Sequence, residues 1–173
     1  MTLVYRLRQG TRALLAFSRP IDDDLARQYL SPPLFALFGR LQRSEQAHSL
    51  NVLRSILAQG DAPPELVAAA LLHDCGKVRW QLRIWQKTLA VLVRKGAPTL
   101  FRRWCSGDAR NFWARPFVVS EHHPAWSGEL LAEAGAPEAV VWLGMHHADP
   151  PEHWHGHPYE NLLRRLQAAD NAN

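Results

Sequence analysis

The stretch that decides the fold is Leu71-Leu72-His73-Asp74-Cys75-Gly76-Lys77. An alanine- and leucine-rich run opened by Pro63-Pro64 leads into it, and Gly76 marks its end. With Gly76 as the residue just past the helix, His73 and Asp74 fall in the last turn, where free carbonyls and the helix dipole favour a cation. Imidazole beside carboxylate is a mixed N/O donor set suited to Mn, Fe, Co, Ni or Zn, with Mg accommodated when water completes the shell. A His-Asp pair is by itself a common helix-end feature. Its meaning depends on what surrounds it.

Outward from this turn, the apolar periodicity is helical nearly everywhere. Val4, Leu7, Leu14 and Leu15 suggest a first amphipathic helix, and Asp22 to Leu30 a second with acids in its opening turn. Ser31-Pro32-Pro33 opens another. Leu50, Leu53, Ile56 and Leu57 form an apolar stripe on a helix from about Glu45 to Ala58, closed by Gly60. Further patterns cover roughly Trp80 to Arg94, Ala125 to Ala134, Pro137 to His147 and Tyr159 to Ala169. Strand alternation is scarce, so the fold class is all-α, a bundle of about 7–9 helices. The 173 residues suit one domain. We divide the chain into a helical extension, 1–44, packed on a core of 45–173.

Composition narrows the chemistry. Nine histidines accompany two cysteines, Cys75 and Cys105, which lack metal or disulfide spacing. This favours imidazole chemistry over thiolate zinc or a disulfide framework, and fits idle thiols in a reducing cytoplasm. No continuous apolar segment resembles a secretory leader, and the longest apolar run, Leu66 to Leu72, is far below the roughly 20 residues of a membrane span. The expectation is a cytoplasmic protein.

The net charge of +4 conceals an asymmetry. Segment 77–116 holds ten basic residues against Asp108 alone, a local +9; ten basic and fifteen acidic residues elsewhere give −5. Four of the seven tryptophans, Trp80, Trp85, Trp104 and Trp113, lie in this basic insertion. It could draw in a small phosphorylated substrate, stack a nucleic-acid base or rest on an anionic membrane. It could equally be an added helical pair with core tryptophans and solvated arginines.

Histidine doublets supply the remaining signal. His122-His123-Pro124 is expected to open one helix, and His146-His147 to close the next; Asp170 lies on the last. His48 sits 25 residues before His73. The ordered set His48, His73-Asp74-x-Gly-Lys77, Asp170 resembles the HD-domain superfamily of metal-dependent phosphohydrolases. His123-Pro124 and His146-His147 are similar to its binuclear branch, which includes the HD-GYP proteins. The resemblance spans about Glu45 to Asp170. It implies one metal on His48, His73, Asp74 and Asp170, and a second on His123, His146 and His147, with Asp74 shared.

This sequence also departs from that pattern. His155-Gly156-His157-Pro158 stands where the Gly-Tyr-Pro signature would be, which argues against cyclic-di-GMP hydrolysis. Ser44 stands where trinuclear members carry a glutamate ligand, and Ser127 replaces a usual glycine, a change read as one of packing. Adjacent helix residues point about 100° apart, so His146 and His147 reach one metal together only if the helix ends there. His122 is assigned a supporting place near the substrate, with His123 the ligand. The alternating His153, His155 and His157 are read as a loop at the pocket rim.

The implied chemistry is hydrolysis of a phosphomonoester or phosphodiester, nucleotide-like ones included. Two divalent transition metals roughly 4 Å apart would make a bridging hydroxide available for in-line attack. Asp74 and Lys77 are the expected catalytic groups, Lys77 gripping a phosphate oxygen. Arg79, Arg83 and His122 are further candidates for substrate contact. A di-iron oxygenase on the same fold and a non-catalytic nucleotide sensor remain as alternatives.

Overall fold

The central helix is apolar all round, and the rest of the molecule is built about it. In the computed structural model, residues 21–173 are described; the helix expected around Val4 to Leu15 lies outside them. The described residues form nine α-helices and two 3₁₀ turns, with no strand among them. In chain order the helices are α1 (Asp23–Tyr29), α2 (Pro32–Gly39), α3 (Arg43–Leu57), α4 (Pro64–Leu72), α5 (Ile84–Gly96), α6 (Pro98–Cys105), α7 (Arg115–Glu133), α8 (Glu138–His146) and α9 (Glu160–Ala172). The 3₁₀ turns are Cys75–Arg79 and Pro151–Trp154. None of the described helices is long and apolar enough to cross a membrane.

Every residue of α4 from Leu66 to Leu72 is buried, the condition of a helix enclosed on all faces. Helices α1, α2, α3, α8 and α9 pack around it, contributing among others Phe38, Leu53, Ile56, Leu143, Leu163 and Leu166 to one core. The C-terminal end of α4 therefore delivers His73 and Asp74 to the interior.

Local chemistry explains several boundaries. Asp22 caps α1 by accepting the Leu25 amide at 3.2 Å, with Asp23 and Asp24 in the first turn. After α3, Gly60 takes φ of 103°, which a side chain would resist.

Two local expectations are corrected. Gly76 is not a left-handed helix end: α4 stops at Leu72 with His73 as its cap, and Gly76 lies inside the first 3₁₀ turn. Its lack of a side chain serves a close crossing, since a Cβ there would collide with the His123 carbonyl and sit 2.8 Å from the Ser127 amide nitrogen. Nor does His122-His123-Pro124 open a helix; all three lie inside the 19-residue α7. Pro124 cannot donate to the Ser120 carbonyl four residues earlier. Arg94 on α5 supplies the missing donor, its Nη2 lying 3.2 Å from that oxygen.

The basic segment forms the first 3₁₀ turn, α5, α6 and a connection into α7. A smaller core of Ala90, Phe101, Cys105 and Phe117 holds this helical pair against α7. Its tryptophans are not core residues: Trp85, Trp104 and Trp113 are exposed and Trp80 is half-buried.

Candidate metal centre

Three buried histidines share one construction. Their Nδ1 atoms face carbonyls one turn back on their own helices: Ala70 for His73 at 3.2 Å, Val119 for His123 at 3.0 Å and Gly144 for His147 at 2.8 Å. A carbonyl only accepts, so Nδ1 carries the proton and Nε2 presents its lone pair inward. The Nε2 atoms of His123 and His147 face each other at 3.2 Å. That of His73 is buried without a hydrogen-bond partner. Inward lone pairs oriented by outer hydrogen bonds are the arrangement a metal requires.

Asp74 lies between them and divides its carboxylate. Oδ1 is 3.2 Å from His123 Nε2 and 3.5 Å from His147 Nε2. Oδ2 is 3.6 Å from His73 Nε2 and 2.5 Å from Lys77 Nζ. From opposite elements, His48 on α3 and Asp170 on α9 meet at 2.8 Å, and Asp170 stands 3.7 Å from His73 Nε2. Donor atoms thus fall into two groups sharing Asp74: His48, His73 and Asp74, and Asp74, His123 and His147, each within 4.8 Å.

The electrostatics follow from burial and close charges. Burial opposes ionisation of Asp74, yet Lys77 and His73 hold its carboxyl well below the usual value. Burial likewise opposes Asp170, outweighed by His48 and His73, and its pKa is lowered. It also opposes charge on His73, but Asp74 and Asp170 raise its pKa. Burial dominates at His147 and depresses it. The Cys75 thiol is pushed by burial up to about 12, which keeps this neighbour protonated.

Not every expected residue arrives. His146 points about one residue's rotation away from the centre. It pairs through Nδ1 with Asp149 at 2.7 Å and packs against Trp142 and Trp154. His147, from the cap of α8, reaches the centre alone. His122 Nε2 donates to the Cys105 carbonyl at 3.1 Å, on the α6 side of α7. Arg79 pairs with Glu129 at 2.7 Å and lies over Trp126. Arg83 opens α5 and lines a separate surface groove with Arg43 and Ser44. Neither arginine lines the metal cleft. His157 stacks on Trp142 at 4.2 Å and His155 sits 3.5 Å from Glu160, so these loop histidines serve other contacts.

Two residues of the site, Glu45 and Lys87, escaped the sequence reading, and Ser127 has a larger part than expected. Glu45, next to the Ser44 that lacks a carboxylate, is buried one helical turn before His48. It holds Lys87 of α5 in an ion pair and lies 3.6 Å from Lys77. Burial raises its carboxyl, but these lysines bring the pKa below its ordinary value. Lys87 thereby joins Lys77 on the wall of a cleft of about 610 Å³ that also contains His48, Asp74, His123 and Asp170. Ser127 does more than pack, because its Oγ accepts the Gly76 amide at 2.8 Å and fixes the turn that carries Lys77. Residues three apart on a helix share a face, so the Glu45–His48 spacing was the one available signal.

Comparison with known proteins agrees with the geometry. The sequence model of the HD domain matches residues 46–172, well over half of the chain. No match was found among curated proteins or solved structures.

Proposed function

The chain belongs to the HD domain family, and from that premise we propose that it is a phosphohydrolase with a binuclear metal centre. The observation that carries this reading is the shared Asp74, one carboxylate oxygen facing each donor group, inside a ring of inward-turned histidine nitrogens. The partnerless buried Nε2 of His73 and the opposed Nε2 atoms of His123 and His147 fit a cation. His48, His73, Asp74 and Asp170 would hold one ion, and Asp74, His123 and His147 the other. The N/O donors suit Mn, Fe, Ni or Co, with Mg or Zn as alternatives. When bound, such ions supply Lewis acidity toward phosphoryl oxygens and activate water.

The chain's own residues do the rest. Lys77 and Lys87 stand on the cleft wall, placed by Asp74 and Glu45, where two ammonium groups can grip and orient phosphoryl oxygens. Gln167 on α9 donates to the carbonyls of His147 and Asp149 at 2.9 and 2.7 Å, holding the end of α8 in register with Asp170. The substrate class is a phosphomonoester or phosphodiester.

The test is a panel of phosphate esters offered to protein loaded separately with Mn, Fe, Ni, Co and Mg. Metal-dependent release of phosphate or a monoester is expected. A fully metallated protein that consumes dioxygen and shows a mixed-valence iron signal would replace this reading with oxidation. Tight nucleotide binding without turnover would replace it with sensing.

A further inference from the structure

A second cavity adjoins the metal cleft and has no part in the chemistry above. Its volume is about 150 Å³, and Leu41, Trp80, Leu82, Val91, Pro116 and Val119 form its apolar walls. At one end it shares Glu45, Lys77, Lys87 and His123 with the cleft. A phosphoryl group held by the two lysines would direct its ester substituent toward this cavity. A cavity of about this volume is large enough to accept a benzene ring.

We propose that this cavity binds the hydrophobic group of the substrate, making the preferred ligand the phosphate ester of an alkyl or aryl alcohol. The inference rests on the phosphohydrolase reading of the adjoining cleft. A sugar or nucleobase fits less well, because its polar edges would meet hydrocarbon on most sides and lose their hydrogen bonds to water. Apolar segments contribute the walls from three places in the chain: α3's approach, the end of the first 3₁₀ turn, and the α5–α7 contact. The basic insertion thus supplies selectivity as well as charge.

The test is calorimetric titration of the metal-loaded protein with methyl-, butyl- and hexylphosphonate, which resist hydrolysis. Affinity should rise about fourfold per methylene until the cavity is full. Val91→Asn changes a wall residue that is 46% exposed without adding a charge beside Lys87; it should flatten that gradient and leave methylphosphonate binding unchanged. A flat series in the wild type, an unaltered gradient in the variant, or tighter binding of a nucleoside monophosphate than of hexylphosphonate would overturn the proposal. Failure of every phosphonate, methyl included, would count against the cleft itself and the cavity with it.

Trp85, Phe112 and Trp113 touch one another, with ring centroids 5.4–6.5 Å apart. Trp113 is 70% and the neighbouring Ile84 57% exposed. Arg83 and Arg110 flank this ridge, and neither has an acidic partner among the described residues. Ile84 adds exposed aliphatic surface beside the rings, which suits lipid chains better than a stack of bases. We infer that the ridge docks on an anionic lipid bilayer, apolar tips entering the interface and arginines meeting lipid phosphates.

Cosedimentation with vesicles of phosphatidylcholine and phosphatidylglycerol, against phosphatidylcholine alone, tests this. Binding should require the anionic lipid and weaken with salt. It should fall at least about tenfold in Trp85→Ser/Trp113→Ser and in Arg83→Glu/Arg110→Glu. No binding to the anionic vesicles, unchanged binding by both variants, or preference for single-stranded polyuridylate would overturn it.

Discussion

His73, His123 and His147 each spend one ring nitrogen on a carbonyl of their own helix and turn the other inward. This makes the two members of the His146-His147 doublet unequal. His147→Ala should cost one metal equivalent, whereas His146→Ala, which disturbs Asp149 and two tryptophans, should retain both. Metal analysis of the two purified variants checks this. Lys77→Ala should lower kcat/KM for a phosphate ester about 10²- to 10³-fold, as loss of a charge-stabilising donor does. Steady-state kinetics on fully loaded protein would show it; unchanged kcat/KM would remove Lys77 from the chemistry. The family resemblance singled out His48, His73, Asp74 and Asp170, which the folded chain brings together. The sequence reading preferred His123 to His122 but kept both His146 and His147, because orientation there depends on the helix boundary. It missed Glu45 and Lys87 because their pairing spans 42 positions and exists only once α5 lies over α3.

The crossing of α7 over the first 3₁₀ turn joins the two donor groups. Gly76 permits it, Ser127 bonds across it, and Pro124 removes a donor from the hydrogen-bond ladder beside it. Gly76→Ala forces a Cβ against backbone that cannot yield, and should destabilise the protein by about 1–3 kcal/mol. Ser127→Ala leaves a buried amide unpaired and should cost about 1–3 kcal/mol. Denaturant unfolding measures both; a loss under half a kcal/mol in each would mean the crossing is looser than described. The sequence marked this region with a glycine, a serine and a proline. Its meaning was obscured because a glycine after a helix usually reads as a left-handed cap, and a proline as a helix start.

Across the molecule, an enclosed central helix carries the centre while the basic helical pair shapes its approach. The all-α class was readable from periodicity, since α3 and α9 show clean apolar stripes. Helix α6 and the first half of α7 were not, because they bury their apolar faces in a separate small core within a charged segment. The same architecture concentrates ionised carboxylates in a buried space. In metal-free protein, Asp74, Asp170 and Glu45 have pKa values below their ordinary ones, so their contribution to stability is complete above about pH 5. It is lost as pH falls from there through the lowered values. Thermal unfolding of metal-free protein should therefore show a melting temperature that drops below about pH 5, with a shallower drop in Asp170→Asn. Identical slopes would show that Asp170 is not held ionised by His48 and His73.

The central claim is that one carboxylate, Asp74, organises two metal ions. Metal analysis of the wild type and Asp74→Ala, with circular dichroism to confirm that the variant folds, tests it most directly. About two equivalents of metal are expected per wild-type chain, with depletion of both in the variant and turnover abolished. A folded Asp74→Ala protein that retains two metals and normal turnover would contradict it.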